Sequence, residues 1–418
     1  MRHAVLMFSV LALAPSLARA QTLDFAWTDI PPHTPIAMGH FGSDFSWDGT
    51  SLAIRSDASV DLYAFDGTTL TWQSHVSGDT TMGDTTGFPG GVSVSNGRLV
   101  SSQNGDPPSW GVLEYSLSGG TWSQAARLVD PAPGWGDGSY EATVVDGTRA
   151  AFGHGFDMGN IGQLSFVRTT SSGAISWTTA NRTVLNGSAS GDLFGYIATL
   201  HGADLLVSAI GASSGGVANA GRAFFYHDDG TNLNLVATLD NPSPAYRDQY
   251  GDDTDFDDTN LYVGSHLDDT MGNDAGALYV YTRTGTPVQT IYGAIANGAF
   301  GGAVTVSGDW LAIAAMTGDV PGVGHLYLYQ RGTDGQFHVR ADVPDPTGTT
   351  GGSYPGNVQI RGRTLVVGAL NATNGGVTQS GRAWFGTFTE QDGSACTADG
   401  DCTSGHCDSG ICCSARAH

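Results

Sequence analysis

Residues 250–264 read YGDDTDFDDTNLYVG, and Asp253, Asp255 and Asp257 alternate there with Thr254 and Phe256. Alternating aspartates open several calcium loops, because convergent carboxylates replace the ion's hydration shell. A second acidic stretch, HLDDTMGND at 266–274, offers Asp268, Asp269 and Asp274. Five cysteines, Cys396, Cys402, Cys407, Cys412 and Cys413, crowd the C-terminal end. Twelve histidines are scattered singly. No H-E-x-x-H, P-loop or dinucleotide fingerprint is present, and the one G-x-S-x-G, Gly211 to Gly215, has no helical pattern after it to make a nucleophile elbow. With Glu114, Glu141 and Glu390 as the only glutamates, a paired-carboxylate glycosidase would depend on aspartates, and no pair stands out. The chemistry that the spacing of the acids points to is cation binding, and the elements carrying them have to decide.

Residues 1–20 read as a secretory signal peptide. Arg2 and His3 precede an apolar run, Ala4 to Ala14, and Ala18-Arg19-Ala20 is a small-x-small cleavage site. That run is too short to span a bilayer, and no later segment is long and apolar enough. The expected location is secreted or at the cell surface or outer envelope. The chain has no lysine, and its net charge is −23, mainly from aspartate. Such a surface repels nucleic acid and anionic lipid. Sixty-one glycines, spaced between apolar runs, argue against a helical or disordered chain.

Aromatic-glycine pairs recur at Phe41-Gly42, Phe194-Gly195, Tyr250-Gly251 and Phe300-Gly301. Eleven residues after each aromatic stands a leucine: Leu52, Leu205, Leu261 and Leu311. Phe88 leads to Leu99 and Tyr354 to Leu365 in the same way, and Ser139 to Ala150 is a degenerate copy. These anchors recur every 47 to 56 residues, the period of a propeller or solenoid. Each unit holds four strand-like runs, such as Ala303–Val306, Trp310–Ala314, His325–Gln330 and Phe337–Asp342. The first two are joined by a tight glycine turn, here Ser307-Gly308. Seven units of four strands predict an all-β, seven-bladed β-propeller over residues 21–390. The last unit has only three strands. Leu23-Asp24-Phe25-Ala26-Trp27 alternates properly and is expected to supply the fourth, closing the ring and removing its edges.

The order of aromatic-glycine, a leucine-rich strand ending in small residues (LLVSA, LYVGS, LVVGA) and a glycine-led aromatic strand (GRAFFYH, GALYVYTR) resembles the FG-GAP repeat of integrin α-type propellers. The resemblance covers about residues 37–388. The calcium-binding form of that family carries D-x-D-x-D-G-x-x-D between its first two strands. Starting at Asp253 puts Asp258 at the glycine and Leu261 at the last acid; starting at Asp252 puts Thr254 and Phe256 at the middle ligands. Neither register fits. The interval from Tyr250 to Leu261 also matches units with plain turns, leaving no insertion to wrap a metal. The stretch reads as strand plus turn, with Asp253 and Asp255 in the same columns as Asp44 and Ser46. Those columns are expected to line the central channel. Asp44, Asp253 and Asp255 form one candidate calcium set there, and Asp268, Asp269 and Asp274 form a second in a loop. No other cofactor is implied.

Residues 391–418 form a cysteine-rich tail that resembles short segments of exported myxobacterial proteins. Its spacing lacks C-x-x-C and suggests disulfides rather than zinc. Five is odd, so one thiol is left over or pairs with another chain; otherwise a monomer is expected. The functional expectation is a non-catalytic recognition or adhesion module that binds an extracellular protein or glycan through loops on one face. A propeller enzyme acting on polysaccharides or phosphoesters and a structural envelope protein are the alternatives.

Overall fold

The second strand of each unit is apolar on both faces, and the structure shows why. In this computed structural model, Leu205, Leu206 and Val207 are fully buried. Leu205 and Val207 pack into one cluster with Leu164 and Phe166 of the preceding unit. Leu206 packs into another with Phe256 and Val263 of the following unit. A strand sandwiched between two sheets has no polar face to show. The structure describes residues 23–391, except 58, 78–89, 104–110, 129–141, 156–160, 170–174, 176–180, 317–323 and 348–352. It also describes 402, 406–408 and 411–412. The segment read as a signal peptide and the anchors at Phe88 and Ser139 lie outside the described residues.

Seven four-stranded antiparallel sheets form the blades. In chain order, blade 1 is β2–β5 (residues 44–77), blade 2 is β6–β9 (92–128) and blade 3 is β10–β13 (142–186). Blade 4 is β14–β17 (194–240), blade 5 is β18–β21 (254–292) and blade 6 is β22–β25 (300–343). Blade 7 takes β26–β28 (357–390) and completes itself with β1 (Leu23–Ile30). Each first strand contacts the first strand of the next blade, and β26 contacts β2, so the ring closes. The chain is a seven-bladed β-propeller. Seven apolar clusters sit one at each blade interface, so the core is a ring of seven wedges.

The aromatic-glycine pair is the lock between blades. Phe41, Phe194, Tyr250 and Phe300 each form a parallel bridge to the glycine that opens the third strand of the preceding blade: Gly381, Gly162, Gly221 and Gly276. Those aromatics are almost fully buried. Tyr354 is buried likewise, with a cis Pro355 in place of the glycine.

In the tail, Cys402 pairs with Cys412, and Glu390 bridges to Cys402. Cys407 is also disulfide-bonded. Cys396 and Cys413 lie outside the described residues. Among the described residues, no helix is long and apolar enough to cross a membrane.

Candidate functional site

The first strands surround a central cavity of about 590 Å³. Each presents one free edge to it, and unpaired edge N–H groups must find acceptors. The sequence supplies them from the neighbouring blade. In blade 1, Asp44 Oδ2, Ser46 Oγ and Asp48 Oδ2 accept from the backbone N–H groups of Val92, Val94 and Asn96, at 2.9, 3.0 and 2.8 Å. Ser93 and Ser95 of blade 2 serve Val145 and Gly147, and Asp146 of blade 3 serves Gly202. Asp253 and Asp255 of blade 5 serve Val304 and Val306, at 2.6 and 2.8 Å. Thr305 and Ser307 of blade 6 serve Ile360 and Gly362. The two remaining interfaces are bridged differently. Thr199 donates to the Thr254 carbonyl, and Arg361 Nε donates to the Trp47 carbonyl at 2.7 Å. A belt of side chains thus stitches all seven blades around the channel.

This is the role the structure gives to the alternating aspartates. Aspartate is short and carries two acceptor oxygens, so it suits an edge of donors. Asp44, Asp253 and Asp255 all line the channel, but their oxygens are engaged. The other Asp253 oxygen accepts from Thr254 N, and the other Asp255 oxygen accepts from Phe256 N. Asp257 and Asp258 fall in the turn. In the loop set, Asp268 is buried and braces the loop through Thr270 N and the Tyr279 hydroxyl, at 2.8 and 2.6 Å. Asp269 accepts from Asp274 N. Among the described residues, no three His, Cys, Asp or Glu side chains are grouped to hold a metal ion.

Burial in the channel wall pushes the Asp253 carboxyl up to about 8, and the nearby Asp255 and Asp252 charges add to this against its two backbone hydrogen bonds. Burial also raises Asp44, partly offset by the Arg55 charge. Burial pulls the His201 imidazole down, but the hydrogen bond and charge of Asp255, joined by Asp146, outweigh it and leave His201 raised. The sign for Asp253 is clear. Between the unfolded carboxylate range and about pH 8 the folded state holds a proton that the unfolded state has released. Stability from this group is therefore full below about pH 4 and falls as pH rises through 8. Asp253→Asn keeps the acceptor for Val304 and removes the titration. Its melting temperature relative to the parent is expected to rise between pH 5.5 and pH 9. An unchanged difference across that interval would refute the shift.

The loops that enter each blade and those joining its second and third strands share one face of the ring. Eleven of the twelve described non-glycine residues with positive φ lie in these loops, among them Met38, His40, Leu193, Arg247, Asn297 and Asp274; Asn96 alone lies in a turn on the other face. Neighbouring loops are zipped together by backbone hydrogen bonds. Met38 N donates to Thr378 O, His40 N to Gln379 O, Asn297 N to Asn273 O and Ala299 N to Asp274 O. Ile36, Met38, Tyr246 and Met271 stand exposed on this face, Met38 at 65 % and Tyr246 at 60 %. The Arg247 guanidinium lies 5.2 Å over the Tyr246 ring. Sequence reading anticipated a loop face but not these residues. Their signal is conformational, and no local residue pattern carries it.

No protein family and no curated protein matches the chain. Among solved structures, a chain from one titled "Crystal Structure of Mitotic Checkpoint Complex" is similar, with a TM-score of 0.52 and 11 % identity. The likeness covers 86 % of this chain and 93 % of that one. The likeness is one of fold. At that identity it supports the propeller and carries no function across.

Proposed function

We propose that this chain is an exported, non-catalytic recognition propeller of the FG-GAP type, binding an extracellular protein or glycan through the loop face just described. One observation carries the reading: the left-handed non-glycine residues gather on the face that also exposes Met38, Tyr246 and Met271. Backbone held in unfavourable regions persists where the surroundings enforce it, and such places concentrate at ligand-binding sites. Backbone zipping keeps the loops ordered before a ligand arrives, which lowers the entropic cost of binding. Exposed aromatic and methionine side chains suit the centre of an interface. The channel fits this reading less well as a reaction site, because its carboxylates are engaged in holding blades together.

The test is retention on a glycan and envelope-protein array, with Tyr246→Ala and Leu235→Ala compared. Leu235 is exposed on the outer strand of blade 4 and serves as the control. Truncating Tyr246 is expected to weaken binding by about 2 kcal/mol, roughly thirtyfold, while the Leu235 change leaves it intact. Equal affinity for parent and Tyr246→Ala, or equal loss in both variants, would remove this face as the binding surface.

A further inference from the structure

Asp61, on the third strand of blade 1, is 3 % exposed and serves two histidines at once. Its Oδ1 lies 2.8 Å from His75 Nδ1, directly opposite it on the fourth strand. Its Oδ2 accepts the backbone N–H of His33 at 2.9 Å. His33 belongs to the crossover between β1 and blade 1. Its ring lies flat on the Trp72 indole, with centroids 4.2 Å apart and planes 13° apart. The rings of His33 and His75 stand 6.1 Å apart, the one pair of imidazoles in ring contact among the described residues.

We propose that His33 and His75 form a two-imidazole site for a borderline divalent transition-metal ion such as Cu²⁺, Zn²⁺ or Ni²⁺. The chemistry follows from the orienting carboxylate. A histidine whose Nδ1–H is held by a carboxylate keeps its Nε2 lone pair free and its ring oriented, which is the usual state of a metal-ligating histidine. His75 is in that state. His33 has no ring hydrogen bond to a described residue, so its lone pair is free as well. The spacing is within reach of an ion: metal–nitrogen bonds of about 2 Å on each side, plus about 1 Å from each nitrogen to its ring centre, span about 5 Å at a tetrahedral angle and about 6 Å with the nitrogens on opposite sides. Imidazoles select these ions over calcium or magnesium, which prefer oxygen. Among the described residues, six other histidines pair with an aspartate, but none of these has a second imidazole in ring contact. The site also lies at a meaningful place. The chain leaves β1, which closes the ring on blade 7, and His33 holds the next stretch against blade 1. An ion bound to both histidines clasps the ring at its seam.

The test is a Cu²⁺ titration of the full tag-free chain, followed by tryptophan emission and electron paramagnetic resonance, with Zn²⁺ melting curves alongside. One Cu²⁺ per chain with nitrogen ligation is expected, together with saturable quenching that Trp72→Phe removes without removing the copper signal. His33→Ala and His75→Ala should each weaken binding at least tenfold. Zn²⁺ should raise the melting temperature of the parent and of neither histidine variant, since an ion bound only by the folded state stabilises it. His33 is exposed in a loop, so its variant folds. A copper spectrum without nitrogen ligands, or parental affinity in either histidine variant, would overturn the site. Binding without a rise in melting temperature would overturn the clasp.

Discussion

A chain lacking residues 23–30 is expected to melt at least about 10 °C below the parent, or to be recovered as aggregate. Those residues form β1, which pairs with β28 in eight consecutive register positions, Leu23 opposite Glu390 through Ile30 opposite Ala383. Removing it strips an entire ladder from blade 7 and leaves β28 as a long open edge, which templates association. It also removes apolar packing. Leu23 and Ile30 are buried at 2 % and 4 % exposure, worth about 2 kcal/mol each. Trp27 lies over Gly386, its partner in the register; a Cβ there would stand 2.3 Å from the indole. Losses of this order consume much of the roughly 5–15 kcal/mol that holds a domain folded. A synthetic peptide of sequence LDFAWTDI should restore stability in trans. A truncated chain that stays monomeric with an unchanged melting temperature would show that the ring does not depend on its closing strand.

The closing strand was legible because three of its requirements are local. It alternates, it precedes the first unit, and the last unit lacks one strand. The repeats were legible for a similar reason. An aromatic-glycine pair, a fixed count to a leucine and a tight turn between them are short-range constraints. The aspartates were harder. Their columns read as small or polar and point to the channel, where Asp44, Asp253 and Asp255 stand. What those columns do depends on the next blade, about fifty residues away. No local pattern states that Asp253 accepts from Val304 or Ser93 from Val145. The same holds for Asp61, whose meeting with His33 and His75 is fixed by the path of the chain across the seam. Apart from the closing strand, contacts within a unit are legible in the sequence and contacts between units are not.

The second large effect concerns such a contact. Gly276→Ala is expected to cost at least about 3 kcal/mol, well above the ordinary penalty for a side chain at positive φ. Gly276 opens the third strand of blade 5 with φ +81°, and an added Cβ would stand 2.1 Å from the Phe300 carbonyl oxygen and 2.5 Å from its nitrogen. Both atoms are backbone, so no rotamer change relieves the clash. Phe300 is itself buried and bridged to Gly276, and Gly293 N donates to the Gly276 carbonyl. Blade 6 would have to move away from blade 5, disturbing the wedge of Leu278, Val304 and Ile313 between them. Gly308 separates the two contributions. It has φ +59° in the hairpin turn of blade 6, with nothing within 4 Å of an added Cβ. Gly308→Ala therefore reports the conformational penalty alone, about 1–2 kcal/mol. Urea unfolding of both variants measures the difference. A cost for Gly276→Ala no greater than for Gly308→Ala would mean that the glycine serves only its own backbone angle and that the lock between blades lies elsewhere. A larger cost, repeated at Gly221 against Tyr250 and at Gly381 against Phe41, would make the glycine opening the third strand as necessary to the repeat as the aromatic-glycine pair it receives.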